Sequence, residues 1–397
     1  MTFLKAPASK RFLLCALFFI QAHAIALWYV PFSTILKANG LEAIIPLAFA
    51  CSAIAALFSP MISGTLADRH IPAERVLRWL ALGIATFLTL TFLAIQHRWG
   101  PGWVLAFLLC QHLFSAPTWG LASGIVLASL RDPQHEFGPV RVWGTFGWAV
   151  AGLFVSFILV ADQSPRAGYC AAAVWLGVAA FTWCVPSVPP RATVGGHRWR
   201  DFLGLDALVL LQNRDHRAVF ITSALLAIPL AAFYPYAIVH LGDVGEPRAA
   251  AAMSLGQVSE VAAMYLIGPL LARFGMRTLM IAGMSFGILR YGWLALDSHA
   301  WVLAGVALHG ACFCLFYIPA QIYLEQRIEP AFRLRAQALL TVMTGGIGNL
   351  LGYLACGWWR ATAIGWPVFW GGLAVAVAVV LGYFVATYRG RSRDLVI

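Results

Sequence analysis

Charge is scarce in this chain. Asp, Glu, Lys and Arg together make up 11% of its 397 residues, against about 25% in a soluble globular protein. That shortage excludes an ordinary soluble fold. Acidic residues are the rarer sign, 16 against 27 basic ones, and nearly all lie at segment ends or in short polar joints. The eight Cys (15, 51, 110, 170, 184, 312, 314 and 356) sit in or beside apolar segments without CxxC spacing. Neither a disulfide framework nor a zinc site is expected from them. HExxH is missing as well, and the joints are too short to hold a catalytic or signalling domain. The expectation is therefore of a protein that is not an enzyme, with no catalytic residues, no cofactor and no metal.

What the chain has in abundance is apolar length. It is 61% hydrophobic, with a mean hydropathy of +0.79. A helix needs about 20 apolar residues to cross a bilayer. Twelve such runs can be read, among them 42–66, 166–186, 217–241, 249–271, 277–296 and 300–324. The first begins after Lys5, Lys10 and Arg11 and continues past "AHA" (22–24) into "IALWYVPF". It reads as an uncleaved first span rather than a signal peptide. The fold class expected is an all-α membrane protein of twelve helices in two pseudo-symmetric six-helix bundles. The bundles would cover 1–186 and 218–397, joined by a cytoplasmic central loop at 187–217.

The basic residues orient this arrangement. With a cytoplasmic N-terminus, the outer side collects Lys37, Arg98, Arg166, Arg248 and Arg360; Arg290 falls inside a span, and the others face the cytoplasm. So strong a positive-inside bias puts both termini in the cytoplasm. The net charge of +11 is then a topology signal, spread over many joints, and nucleic acid is not an expected partner.

A repeat supports the two halves. "GTLADRHIPAERVL" starts at Gly64 and "GPLLARFGMRTLM" at Gly268, 204 residues later. Each has Leu two residues after the Gly, Arg five after it, and a second Arg before an apolar run. Parallel six-span repeats with a site between the halves are a transporter plan. The repeated loops, Gly64, Asp68, Arg69 and Arg75 in one and Gly268, Arg273 and Arg277 in the other, read as topology anchors and gate latches, with no metal and no solute role.

Polar residues inside spans mark the candidate solute site. Arg141, Thr145 and Trp148 fall at i, i+4 and i+7, on one helix face. Gln257, Glu260 and Met264 share a face at i, i+3 and i+7, and so do His309, Phe313 and Phe316 at i, i+4 and i+7. In "FYPY" (233–236), Tyr234 and Tyr236 flank Pro235, where a helix would be interrupted. Amide, carboxylate, imidazole and aromatic rings together suit a polar, ring-containing solute.

Several of these stretches resemble a known family. "GTLADRHIPAERVL" is similar to the signature loop of the major facilitator superfamily. "VRVWGTFGW" (140–148), "FLGLDALVLLQN" (202–213), the 254–280 stretch with its QVSE, "GILRYGWLA" (287–295) and "RLRAQALLTVMTGGIGNLLG" (333–352) resemble its nucleoside:proton symporter branch. The resemblance implies a secondary active transporter that moves a nucleoside with protons by alternating access, as a multi-pass protein of a bacterial inner membrane. Its partners would be a nucleoside-like small molecule, protons and the lipid bilayer, and it is expected to act as a monomer. The resemblance also implies solute contacts at Arg141, Thr145, Trp148, Gln257, Glu260, His309 and Phe313, to which the span reading adds Tyr234. Two departures stand out. Cys314 occupies a position where relatives carry Asp, and Ala231 and Tyr234 replace polar amides. A permease for aromatic acids or other small metabolites, or a drug exporter, of the same superfamily is the alternative, ahead of a multi-spanning membrane enzyme.

Glu260 is the acid placed deepest. A charge at the bilayer centre costs about 2.5–3.5 kcal/mol on insertion scales, unless it is protonated, paired or facing a wet cavity. Desolvation favours the protonated carboxyl, so a residue here can take a proton from one side and release it to the other. Glu260 is accordingly the candidate for proton coupling; a structural pair with Arg290 or Arg141 is the competing reading.

Overall fold

The computed structural model describes residues 8–69, 71–190, 205–362 and 364–390. Regular structure among these residues is helical throughout. In lipid every backbone donor and acceptor must be satisfied within the chain, and a helix achieves that locally. Residues 191–204 of the expected central loop lie outside the described residues.

The described residues form two compact units, one of 8–44 and 54–190, the other of 45–53 and 205–390. The chain begins with α1 (Ala8–Tyr29), a turn at Pro31, and α2 (Phe32–Ala38). Then come α3 (Ile45–Arg69), whose first nine residues belong to the second unit, α4 (Ala73–Gln96) and α5 (Pro101–Ser115). The next are α6 (Thr118–Ser129), α7 (Pro133–Leu153), which runs into a wide π-type turn at Phe154–Leu159, and α8 (Arg166–Phe181). Pro101 opens α5 at a position whose N–H needs no helical partner. The core of this unit joins Leu14, Leu17 and Phe18 of α1 to Leu77 of α4, Ile125 and Val126 of α6, and Val140 of α7.

The second unit opens with a short 3-10 turn, Leu205–Gln212, and α9 (Arg214–Leu230). Here the structure departs from the sequence reading, which left 187–217 as loop. The Asn213 side chain accepts from the backbone N–H of Asp215 at 2.9 Å and of His216 at 3.3 Å. That cap starts the helix several residues before its apolar run. A wide turn at Phe233–Ala237 separates α9 from α10 (Ile238–Asp243). Then follow α11 (Ala249–Met253), α12 (Leu255–Leu294), α13 (His299–Ala307), α14 (His309–Arg327) and α15 (Pro330–Thr341). A second wide turn at Val342–Gly348 leads to α16 (Asn349–Ala361), and α17 (Trp366–Thr387) completes the unit.

Nine helical stretches among the described residues are long and apolar enough to cross a membrane, and Glu42–Phe58 and Arg166–Phe181 are shorter apolar helices. Where the sequence suggests separate spans at 249–271 and 277–296, one stretch of 46 residues runs from Ala249 to Leu294. It is interrupted at Gly275, with φ 75° and ψ 166°, a conformation that glycine adopts without the Cβ penalty.

Candidate functional site

In the second unit the expected residues converge, and the backbone explains how. The wide turn after α9 follows Pro229 inside the helix and contains Pro235. Proline cannot supply the helical hydrogen bond, so the winding loosens there. The turn sets Phe233 and Tyr234 against His309, the first residue of α14. Phe233 and His309 stack nearly parallel, with centroids 4.1 Å apart and planes 6° off parallel. Tyr234 meets the same imidazole edge-on at 5.4 Å. On the next turn of α14, Phe313 stacks with His309 at 6.2 Å and with Tyr317 at 4.9 Å. Phe313 is 44% exposed, so the aromatic series ends on a ring with a free surface.

The α12 face lies against this series. Gly310 of α14 has so little room that an added Cβ would overlap the backbone of Glu260. Its N–H donates to Ser259 Oγ at 3.0 Å, and Ser259 Oγ donates in turn to the Gly256 carbonyl at 3.0 Å. Gln257 is buried and its side chain hydrogen-bonds to Tyr234. Cys314 Sγ is 3.9 Å from the Glu260 carbonyl oxygen. Tyr234, Gln257, Glu260, His309 and Phe313 are thus brought together. Phe316, two turns on from His309, is fully buried, against Gly283 of α12.

The sequence assigned Arg290 no partner on α14, yet it belongs to this cluster. It is 1% exposed and donates from Nη1 to His309 Nδ1 at 2.7 Å. Its guanidinium carbon lies 4.6 Å from the Phe233 ring centroid and 4.5 Å from that of Tyr291. Phe233 and Ser259 were missed as well. The visible signals were a lone basic residue inside a span and a Pro in an aromatic run.

In the first unit, Arg141, Thr145 and Trp148 occupy one face of α7. The Arg141 guanidinium carbon sits 4.7 Å from the Trp119 ring centroid, and Trp119 leans on Phe18 at 5.3 Å. Thr145 is buried, and Trp148 meets Tyr29 edge-on at 6.1 Å. His23 bonds through Nδ1 to the Gly147 carbonyl at 3.2 Å, and His112 packs against Trp28.

The repeated loops resolve unevenly. The backbone of α3, Gly64 included, is described through Arg69, but the side chains of Asp68 and Arg69 lie outside the described residues. Arg75 is exposed, whereas its neighbour Glu74 is buried and accepts from Ser187 Oγ at 2.7 Å and from Val188 N–H at 3.0 Å. Past Gly268 on α12, Arg273 lies over the ring of Phe274, and Arg277 donates to the Val385 carbonyl of α17 at 3.4 Å.

The chain resembles known proteins over nearly its whole length. YegT of Escherichia coli (strain K12), a protein named for nucleoside transport, is 32% identical over 406 residues, covering 95% of this chain and 93% of YegT. The nucleoside permease NupG of the same organism is 26% identical over 323 residues, 77% of this chain and 76% of NupG. The crystal structure of an alanine variant of NupG superposes with a TM-score of 0.87 at 24% identity, covering 96% of this chain and 100% of that one; this likeness shows the fold, a helical transporter fold. The sequence profile of the nucleoside H+ symporters matches residues 9–391, and the chain therefore belongs to the nucleoside H+ symporter family.

Proposed function

We propose that this protein carries nucleosides across the bacterial inner membrane together with protons, by alternating access. The observation that carries the reading is the cluster of Tyr234, Gln257, Glu260, His309 and Phe313. Stacked rings that end on the exposed Phe313 suit a flat base. The amide of Gln257 and the carboxyl of Glu260 suit hydroxyls and base edges, which need both donors and acceptors. Arg141, Thr145 and Trp148 form the second set of solute contacts, and Glu260 carries the proton.

Family membership supports the coupling, and the relatives' names support the solute class. The working arrangement is a monomer with twelve crossings, the nine long stretches and two shorter helices supplying them once Ala249–Leu294 is divided at Gly275. Its bundles are 1–186 and 218–397, the central segment 187–217 and both termini are cytoplasmic, and the loops at Gly64, Asp68, Arg69 and Arg75 and at Gly268, Arg273 and Arg277 gate it.

Uptake into proteoliposomes tests this directly. Labelled uridine, adenosine and an aromatic acid are compared at one fixed inward proton gradient. Accumulation of the nucleosides above the acid is expected. Uptake of the acid alone would replace the nucleoside reading with the aromatic-acid one.

A further inference from the structure

The bond between Arg290 and His309 fixes more than a side-chain position. A guanidinium has five donors and no acceptor. At 2.7 Å from Arg290 Nη1, His309 Nδ1 must therefore be the acceptor. A neutral imidazole carries one hydrogen, so that hydrogen is on Nε2. A protonated ring would carry N–H on both nitrogens and would press one of them against the guanidinium.

The ring is also held in plane. Phe233 covers one face of His309, and the same Phe233 lies under the Arg290 guanidinium. Tyr234 closes from the edge. Arg290 itself is costly: it is 1% exposed, and among the described residues neither Nε nor Nη2 has a hydrogen-bond partner. A buried charge so sparsely bonded is poor evidence for stability alone. An apolar residue would fill the same space, but it would leave His309 free to take either tautomer or a proton.

We infer that Arg290 is a positioning residue that locks His309 as the neutral Nε2–H tautomer, so that His309 offers the solute a hydrogen-bond donor and takes no part in moving protons. The inference rests on the nucleoside-site reading for the identity of the solute; the locked tautomer stands without it. The solute atom that faces His309 is then an acceptor, a carbonyl oxygen or an unprotonated ring nitrogen of the base. The titratable and charged groups around the pair are Tyr291 on its own helix, Glu260 earlier on the same stretch, Tyr234 on the wide turn, Cys312 and Tyr317 on α14, and Tyr353 on α16.

The test uses the full-length protein labelled with 15N-histidine in nanodiscs. The resonances lost in His309→Gln belong to His309. They are expected to show the neutral Nε2–H tautomer throughout about pH 5 to 8, where a free imidazole changes charge. In Arg290→Met they are expected to become a tautomer mixture that titrates. An Nδ1–H tautomer or an imidazolium in the parent overturns the inference, as does an unchanged spectrum in a folded Arg290→Met. If that variant does not fold, the parent spectrum decides alone.

Uridine binding supplies the second arm. Gln extends an amide N–H to the place of Nε2, whereas Asn reaches only the place of Nδ1. His309→Asn is expected to bind about two- to tenfold more weakly than His309→Gln, the loss of one hydrogen bond. Equal binding by parent, Gln and Asn overturns the donor role while leaving the tautomer to the spectrum. A parent that binds no uridine defeats the proposed function, and the spectrum still decides the lock.

Discussion

Gly310 touches the backbone of Glu260 so closely that an added Cβ would overlap it. The contact sets the distance between α12 and α14, and with it the placing of Glu260 beside Cys314 and of Gln257 beside Tyr234.

Gly310→Ala should therefore push the two helices apart. The overlap is with backbone, which cannot swing away as a side-chain tip would. Overpacking of this kind costs about 1–3 kcal/mol. Gly292→Ala is the control, because nothing lies within 4 Å of a Cβ there, and a helical Gly→Ala change is neutral or favourable. Thermal unfolding of the purified protein should show Gly310→Ala melting lower than the parent and Gly292→Ala melting no lower. Equal melting of both variants would refute the close contact.

The faces that make up the cluster were legible in the sequence, and the way they meet was not. Helical spacing alone put Gln257 with Glu260 and His309 with Phe313, because residues three and four apart share a face. Spacing also put Phe316 on that stripe, but did not show that it would be buried where α12 passes at Gly283 while Phe313 stays exposed. Pro235 announced a disturbance, but only the fold shows that the wide turn delivers Phe233 to His309. Arg290 was visible as a charge inside a span. Its partner is 19 residues away on another helix, and periodicity carries no information over that distance. The exact start of α9 was not legible, because apolar runs mark the lipid-facing length of a helix, while the cap at Asn213 marks its first turn.

Gln257 and Phe313 separate solute recognition from folding. Gln257→Ala removes the hydrogen-bond partner of Tyr234, and Phe313→Ala removes the exposed end of the ring stack. Base–aromatic stacking is worth about 1–3 kcal/mol by alanine substitution, so Phe313→Ala should weaken uridine binding by about fivefold or more. Both variants should reach the membrane at parental levels. Parental uptake kinetics in both would remove the cluster from the transport path.

Membrane orientation is open to chemical labelling. Single cysteines at Val188, Gly390 and Glu246, in a background without the eight native Cys, divide the two sides. An impermeant thiol reagent added to intact cells should reach position 246 alone. It should reach positions 188 and 390 only after the membrane is opened. Labelling of 188 or 390 from outside would invert the charge-based topology.

Glu260 carries the last and sharpest prediction. Cys314 Sγ is 3.9 Å from its backbone carbonyl oxygen, at the position where the family resemblance implies an Asp, so under the proposed function Glu260 couples protons without that second acid. Glu260→Gln keeps the shape and a hydrogen-bonding head but removes the titratable group. It should abolish uphill accumulation driven by a pH gradient while sparing downhill exchange of labelled for unlabelled nucleoside. Cys314→Asp should act in the opposite sense. An acid at position 314 would stand on the helix packed against Glu260, and two carboxyls that interact lose their protons in separate steps that belong to the pair. Uptake in Cys314→Asp should then depend on pH more steeply than in the parent. The measurement is uridine accumulation in proteoliposomes with and without an imposed inward proton gradient, run on the parent and both variants. If the parent ignores the gradient, the protein is a facilitator, and Glu260 is left as a ligand for the solute.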